Sequence, residues 1–416
     1  MKVRRTLIFA LVLLLGLAYG QTLRIFASPA QRDAIQGLVA QYTEETGIPV
    51  EIELGGATTE QRTQYLSTVL TARSGEIDIY LFDVVDPLRF SAAGWVEPLN
   101  DYFESEEAMM DFLSVFLPGE IETNLIDGVL YGIPAWTDSQ FLYYRTDLLA
   151  QYGFEPPTTW AELKEQALVI LEGEGDPNLQ GFNYQGAPIE GTNCTFLQAL
   201  WSAGGDWRDA DGNITVLSDA GRRALNWYQE TLDSGITIPT IAEETTDLSR
   251  QAFQAGNVVF MLNWSYAWAL FQGDDSAVVG NVGVAPLPTF EEGGPSANCV
   301  GGFQWALNPY GNNKAMAFDL VMYLASEDSQ RYLATNWSQI PSRISLYSDP
   351  AVLEAAPQFG DFYDVIINAR PRPQTEFYGE VSDLIRSTMN AFLAGALSID
   401  EALETIQFGL EDIFDN

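Results

Sequence analysis

The sequence predicts an α/β protein made of two bodies, and three observations carry that expectation. Strand-like and helix-like segments alternate over about 60 residues near the start. The alternation restarts around Tyr131, and no repeat, low-complexity tract or long run of like charge interrupts it. With 416 residues, 47% of them apolar and 19% charged, the chain can bury a sizeable core.

Residues 1–20 read as a secretory signal peptide: Lys2, Arg4 and Arg5, an apolar run over 7–17, then Ala18-Tyr19-Gly20. That run is too short to span ~30 Å of hydrocarbon, so the mature chain is expected to be soluble in the periplasm or outside the cell. Strands are expected over 23–27, 50–54 and 77–82. Between them lie a helix carrying Ile35, Leu38, Val39 and Tyr42 and ending at Gly47, and one carrying Tyr65, Leu66, Val69 and Leu70 behind the capping-box spacing of Thr58 and Gln61. This order implies a mostly parallel sheet with right-handed crossovers.

The second run begins with an aromatic turn, Tyr131-Gly132-Ile133-Pro134-Ala135-Trp136, stiffened by its proline. Apolar residues at 141–144 follow, then a helix over 160–171 capped by Thr159 with Glu162, another over 220–232, and a strand over 258–262 that stops at Asn263-Trp264. Residues 282–285 and 303–307 are strand-like. The C-terminus is helical over 381–393, and a last helix is capped by Ser398 with Glu401.

Composition removes whole classes of function. The formal charge of −37 repels phosphate backbones and anionic head groups, which excludes nucleic acid and basic-patch membrane adhesion as partners. The absence of histidine excludes Ser/His/Asp and Cys/His nucleophilic catalysis and any histidine-based zinc site. No metal and no cofactor is implied. Cys194 and Cys299 are the two cysteines; after export they are able to form a disulfide or to remain as two buried thiols.

Ligands of open α/β sheets lie beyond the carboxyl ends of strands. Asp83 and Trp264 sit at such ends, and Asp138 follows the aromatic turn. A carboxylate accepts two hydroxyl hydrogen bonds at once, and an indole covers the C–H face of a pyranose. Acids beside aromatic plates therefore suit a neutral sugar, although turn-forming and core duties remain open for each residue. Asp209-Ala210-Asp211-Gly212-Asn213 reads as a surface turn, because its glycine and the residue at Ala220 break the calcium-loop pattern. A carboxylate pair would also serve a glycoside hydrolase.

Taken together, Thr59-Glu60-Gln61-Arg62, the stretches 78–83 and 93–99, and Tyr131-Gly132-Ile133-Pro134 form ordered blocks. Further blocks are 142–149, 156–160, Asn263-Trp264-Ser265-Tyr266, Gly301-Gly302-Phe303-Gln304 and Pro371-Arg372-Pro373. In this order they resemble the extracellular solute-binding proteins that serve sugar-transporting ABC importers, with trehalose/maltose-binding proteins the nearest likeness.

The resemblance implies the two-lobed, type II periplasmic-binding-protein fold, with a N-terminal lobe of 21–133 and 286–326 and a C-terminal lobe of 134–285 and 327–416. The three crossovers would fall near Pro134, at 281–286 and at 325–330. A sugar would lie in the cleft between lobes, touched by Arg62, Asp83, Trp136, Asp138, Trp264, Gly301, Gly302, Phe303 and Arg372. The implied protein is a monomer without catalysis that closes on a neutral mono- or disaccharide and hands it to membrane permease subunits. Gln31, where similar disaccharide binders carry an acid, and Phe303, where they carry Trp, leave the sugar open. A receptor for a polyol or sugar phosphate is the alternative ligand reading.

Overall fold

Hydroxyl caps start several helices of the computed structural model, which describes residues 22–56, 58–294, 297–367 and 369–415. The expected signal peptide lies outside them. Ser28 with Gln31, Thr58 with Gln61 and Thr159 with Glu162 each form a reciprocal capping box, and Ser398 and Glu401 hydrogen-bond in the same manner.

The principal elements run in order β1 (Leu23–Ala27), α1 (Pro29–Thr46), β2 (Val50–Leu54), α2 (Thr59–Thr71) and β3 (Ile79–Asp83), with shorter helices between some of those that follow. Next come α3 (Pro118–Asn124), the short strands β4 (Leu125–Ile126) and β5 (Val129–Leu130), and β6 (Ile133–Arg145). Then follow α4 (Trp160–Glu174), β7 (Gln180–Asn183), α5 (Glu190–Ser202), α6 (Asp219–Asp233), β8 (Val258–Trp264), β9 (Val282–Ala285) and β10 (Val300–Leu307). The chain closes with α7 (Lys314–Leu324), α8 (Glu327–Trp337), α9 (Tyr378–Leu393) and α10 (Ile399–Asp415). The aromatic turn expected before Trp136 is instead the start of β6, a 13-residue strand with Pro134 at its second position. Proline is tolerated near a strand's first residue, where the ladder does not need its N–H.

The chain divides into two units. The first runs to Trp136 and resumes at Phe303–Trp337 and Pro341–Leu346; the second holds Thr137–Gly302, Ser338–Ile340 and the chain from Tyr347 onward. In the first unit β1 pairs parallel with β2 and β3, and β10 runs antiparallel to β3. Strand alternation gives this sheet two apolar faces. Leu23, Ile25, Ile79 and Leu81 pack under Ile35, Leu38 and Val39 of α1, while Phe26, Tyr80 and Phe82 pack under Leu66 and Leu70 of α2. With both faces covered, β1 and β3 read as near-continuous apolar runs, whereas β2 alternates Val50, Ile52 and Leu54 with Glu51 and Glu53.

In the second unit β7 is parallel to β8, whereas β6 runs antiparallel to β8 and β9. Its core takes Leu142, Phe182, Phe260 and Leu262 from the strands and Leu163, Leu197, Tyr228, Ile385 and Ile406 from the helices.

The unit boundaries depart from the expected lobes at four places, since 134–136, 327–337 and 341–346 fall with the first unit and 286–302 with the second. Residues 286–302 fall with the second unit, because Thr289 exchanges main-chain bonds with Thr158 and Trp160, Leu287 and Ala297 enter its core, and Cys299 is disulfide-bonded to Cys194. Residues 327–337 fall with the first unit, where Leu333 joins the core and Gln330 donates to the carbonyl of Pro134. The first two changes of unit come at 136/137 and 302/303; the third is drawn out over 338–346.

The disulfide joins residues 105 positions apart, and both partners are fully buried. A loop of that length corresponds to roughly 3–5 kcal/mol in the chain-entropy picture. Denatured, unreduced protein should therefore show no free thiol, and Cys194→Ser/Cys299→Ser should unfold at a lower urea concentration. Two titratable thiols in the unreduced protein would contradict the bond.

Candidate functional site

Four of the residues expected to touch ligand come together in the first unit. Asp83 ends β3 and stands directly opposite Phe303 in the antiparallel pairing with β10. Arg62 reaches them from the first turns of α2, where its Nη2 donates to Thr59 Oγ1 at 3.0 Å and its guanidinium carbon lies 5.3 Å from the Phe303 ring centre. Trp136 packs against Phe303 at 5.6 Å and edge-on to Trp305 at 6.3 Å. Burial lowers the Arg62 pKa from the ordinary arginine value, against the opposing pull of the Asp83, Asp86 and Glu60 carboxylates. Asp86 in turn accepts from the Asp83 N–H at 3.1 Å and pairs with Arg89, which fixes the strand end carrying Asp83.

Three others meet in the second unit. Asp138 lies in β6, and its Oδ1 accepts the main-chain N–H of Ser139 at 2.8 Å and of Ser265 at 3.0 Å. Trp264 ends β8 and is half-buried. Its main-chain carbonyl accepts from Tyr143 Oη at 2.9 Å, while its N–H donates to Asn263 Oδ1 at 2.8 Å. The indole lies against the backbone of Gly301: a Cβ there would sit 2.5 Å from Trp264 Cζ3 and 3.3 Å from Asp138 Cβ. Gly302, next in β10, has φ 123°, a conformation that suits glycine.

Arg372 lies two residues beyond Arg370, which bridges in parallel to Cys299. The Arg372 side chain is 1% exposed, and Nη1 donates to Glu190 Oε1 at 2.7 Å. Tyr378 and Ser382 of α9 also donate to Glu190. Burial pushes the Glu190 carboxyl up, but Arg372 and the two hydroxyls outweigh it and hold the carboxyl below its ordinary range. The proline-flanked arginine thus meets an acid 182 positions away. No local pattern in the sequence marks Glu190. Thr59 lies within a quoted block without a role assigned to it, and Asp86 lies three residues beyond one.

The 209–213 segment is a turn closed on itself, with Asp209 Oδ1 accepting from the N–H groups of Asp211 at 2.9 Å and Asn213 at 2.8 Å. No helix among the described residues is long and apolar enough to cross a membrane.

Residues 27–331 match the family described as bacterial extracellular solute-binding protein. A probable ABC transporter-binding protein of Deinococcus radiodurans is 35% identical over 375 residues, covering 88% of this chain and 87% of its own. Maltose-bound MalE3 of T. maritima shares 34% identity with a TM-score of 0.87, over 94% of this chain and 99% of that one. A ribitol complex from Agrobacterium radiobacter K84, at 22% identity and a TM-score of 0.85, shares the fold. The chain belongs to the bacterial extracellular solute-binding protein family and has its two-lobed α/β fold. It is therefore a binding protein of the ABC-importer class and not an enzyme, which sets aside the hydrolase reading of its carboxylates.

Because its folded pKa is lowered, the Glu190 carboxylate adds stability above the unfolded carboxyl value of about 4.3 and loses it as pH falls further. Glu190→Gln removes the carboxylate that Arg372 bonds to and should lower stability near neutral pH. The gap in urea midpoint between wild type and variant should narrow below pH ~4; a gap independent of pH would contradict an ionised Glu190.

Proposed function

We propose that this chain is the extracytoplasmic receptor of an ABC importer for a neutral mono- or disaccharide of the trehalose, maltose, sucrose or glucose class. The sugar binds between the two units, hinge closure traps it, and the closed monomer delivers it unaltered to the membrane permease.

The observation that carries this reading is the pairing of an acid with aromatic rings in each unit. Asp83 stands with Trp136 and Phe303 in one, and Asp138 with Trp264 in the other, each set beside a point where the chain changes unit. Carboxylates accept sugar hydroxyls and an indole covers the apolar face of the ring. A neutral ligand is favoured over a sugar phosphate, because the two arginines of the set are both buried beside carboxylates: Arg62 near Asp83 and Asp86, Arg372 on Glu190. The maltose carried by MalE3, 34% identical to this chain, points to the same class.

A ligand that bridges both units stabilises the closed form alone. Shifting the equilibrium from 1:99 to 99:1 takes ~5.5 kcal/mol, and a few hydrogen bonds to charged groups at ~1.5–3 kcal/mol each supply it. Arg372 has a positioning part, holding its segment through Glu190. Crossovers near residues 136, 302 and 338–346 act as the hinge.

A thermal-shift screen of trehalose, maltose, sucrose, glucose, mannitol and glucose 6-phosphate tests the ligand class. A true ligand at ~100 times its Kd adds ~2.7 kcal/mol of stability. At least one neutral sugar should raise Tm and be recovered intact, and Trp264→Ala should weaken its binding about tenfold or more with little change in Tm. A shift with mannitol alone moves the assignment to polyols. A shift with the phosphate ester alone, or unchanged affinity in Trp264→Ala, contradicts the reading.

A further inference from the structure

The two glycines of Gly301-Gly302 are needed for different physical reasons, and the first of these leads beyond ligand class. Gly302 is required by its backbone, at φ 123°. Gly301 is outside the left-handed region, so what it supplies is space. A Cβ at 301 would lie 2.5 Å from Cζ3 and 3.1 Å from Cε3 of Trp264 and 3.3 Å from Cβ of Asp138. Carbon atoms in contact prefer about 3.5–4.0 Å. The indole therefore rests directly on the main chain of residue 301.

Neither surface can easily retreat. The backbone around Trp264 is held on both sides: its N–H donates to Asn263 Oδ1, its carbonyl accepts from Tyr143, and the following N–H of Ser265 donates to Asp138. The strand beneath is anchored through the Cys194–Cys299 disulfide, the bond from Ser139 Oγ to the Cys299 carbonyl at 3.2 Å, and the bond from Val300 N–H to the Arg370 carbonyl at 2.9 Å. Two pinned backbones with no side chain between them leave the ring one seat.

We propose that Gly301 is a positioning residue: its missing side chain sets the depth and tilt of the Trp264 indole beside Asp138, and so sets how closely a sugar ring can stack while bonding to that carboxylate. This rests on the sugar-receptor reading for its consequence, but the seating of the indole does not depend on any ligand.

The test is a double-mutant cycle of Gly301→Ala and Trp264→Ala, read by near-UV circular dichroism without ligand, by Tm, and by calorimetric titration with maltose and with the best sugar of the screen. Gly301→Ala should change the aromatic spectrum of the free protein and weaken sugar binding about tenfold or more. In the Trp264→Ala background the same change should leave the spectrum unaltered and affinity within about twofold, because the displaced ring is gone. A wild-type spectrum and affinity in Gly301→Ala, or equal losses in both backgrounds, overturns the proposal. If Gly301→Ala alone folds poorly, recovery of the double variant to the Tm of Trp264→Ala supports the steric seat, and failure to recover overturns it. If wild type binds no sugar, the receptor reading fails while the spectra and Tm still decide the role of Gly301.

Discussion

Two strands that change unit partway along their length constrain everything else in this molecule. β6 leaves the first unit between Trp136 and Thr137, and β10 enters it between Gly302 and Phe303. Covalent continuity therefore places Trp136 within two residues of Asp138, and Gly301 within two of Phe303, although each pair is divided between the units. Asp83 gains its place from the register of β10 on β3, and Trp264 from the register of β8 on β6, which pairs it with Gln140. A slip of one residue in either ladder would turn Asp83 or Trp264 to the opposite face of its sheet.

Both strands are fastened by a buried glutamine just past their candidate residues. Gln140 donates to Gln185 and accepts from Gln198, each at 2.6 Å, and Gln185 donates on to the Leu262 carbonyl in β8. Gln304 donates to Glu120 and accepts from Asn124 at 2.8 Å, both in α3. Such networks demand that each partner be in place, since a buried amide without one costs more than the bond contributes. They make the strand registers specific, and they do so separately in each unit.

Much of this was legible in local sequence signals. Capping boxes, Gly47 and Gly395 in the left-handed region, and the apolar periodicity locate the helices and most strands, because each depends on residues within one or two turns. The resemblance blocks contain Arg62, Asp83 and Trp264, and the fold brings Arg62 and Asp83 beside Phe303, and Trp264 beside Asp138. What escaped local reading depends on distant partners. Pro134 signals a turn, yet its place near the start of a strand costs the ladder nothing. Residues 286–302 follow Thr158, Cys194 and Arg370 into the second unit, and no short-range pattern announces those contacts. Arg372 offers a cation for ligand, and only the fold reveals Glu190 against it. The steric need for Gly301 likewise comes from Trp264, 37 positions earlier in a different strand.

Under the proposed receptor function, ligand binding would change the arrangement of the two units that β6 and β10 connect. Small-angle X-ray scattering of the mature protein, with and without a saturating sugar found by thermal shift, measures that response directly. A hinge that closes on its ligand requires a smaller radius of gyration in the sugar-bound protein and no such change in Trp264→Ala at the same sugar concentration. An identical radius with and without bound sugar in the wild type would contradict closure as the signal read by the membrane partner.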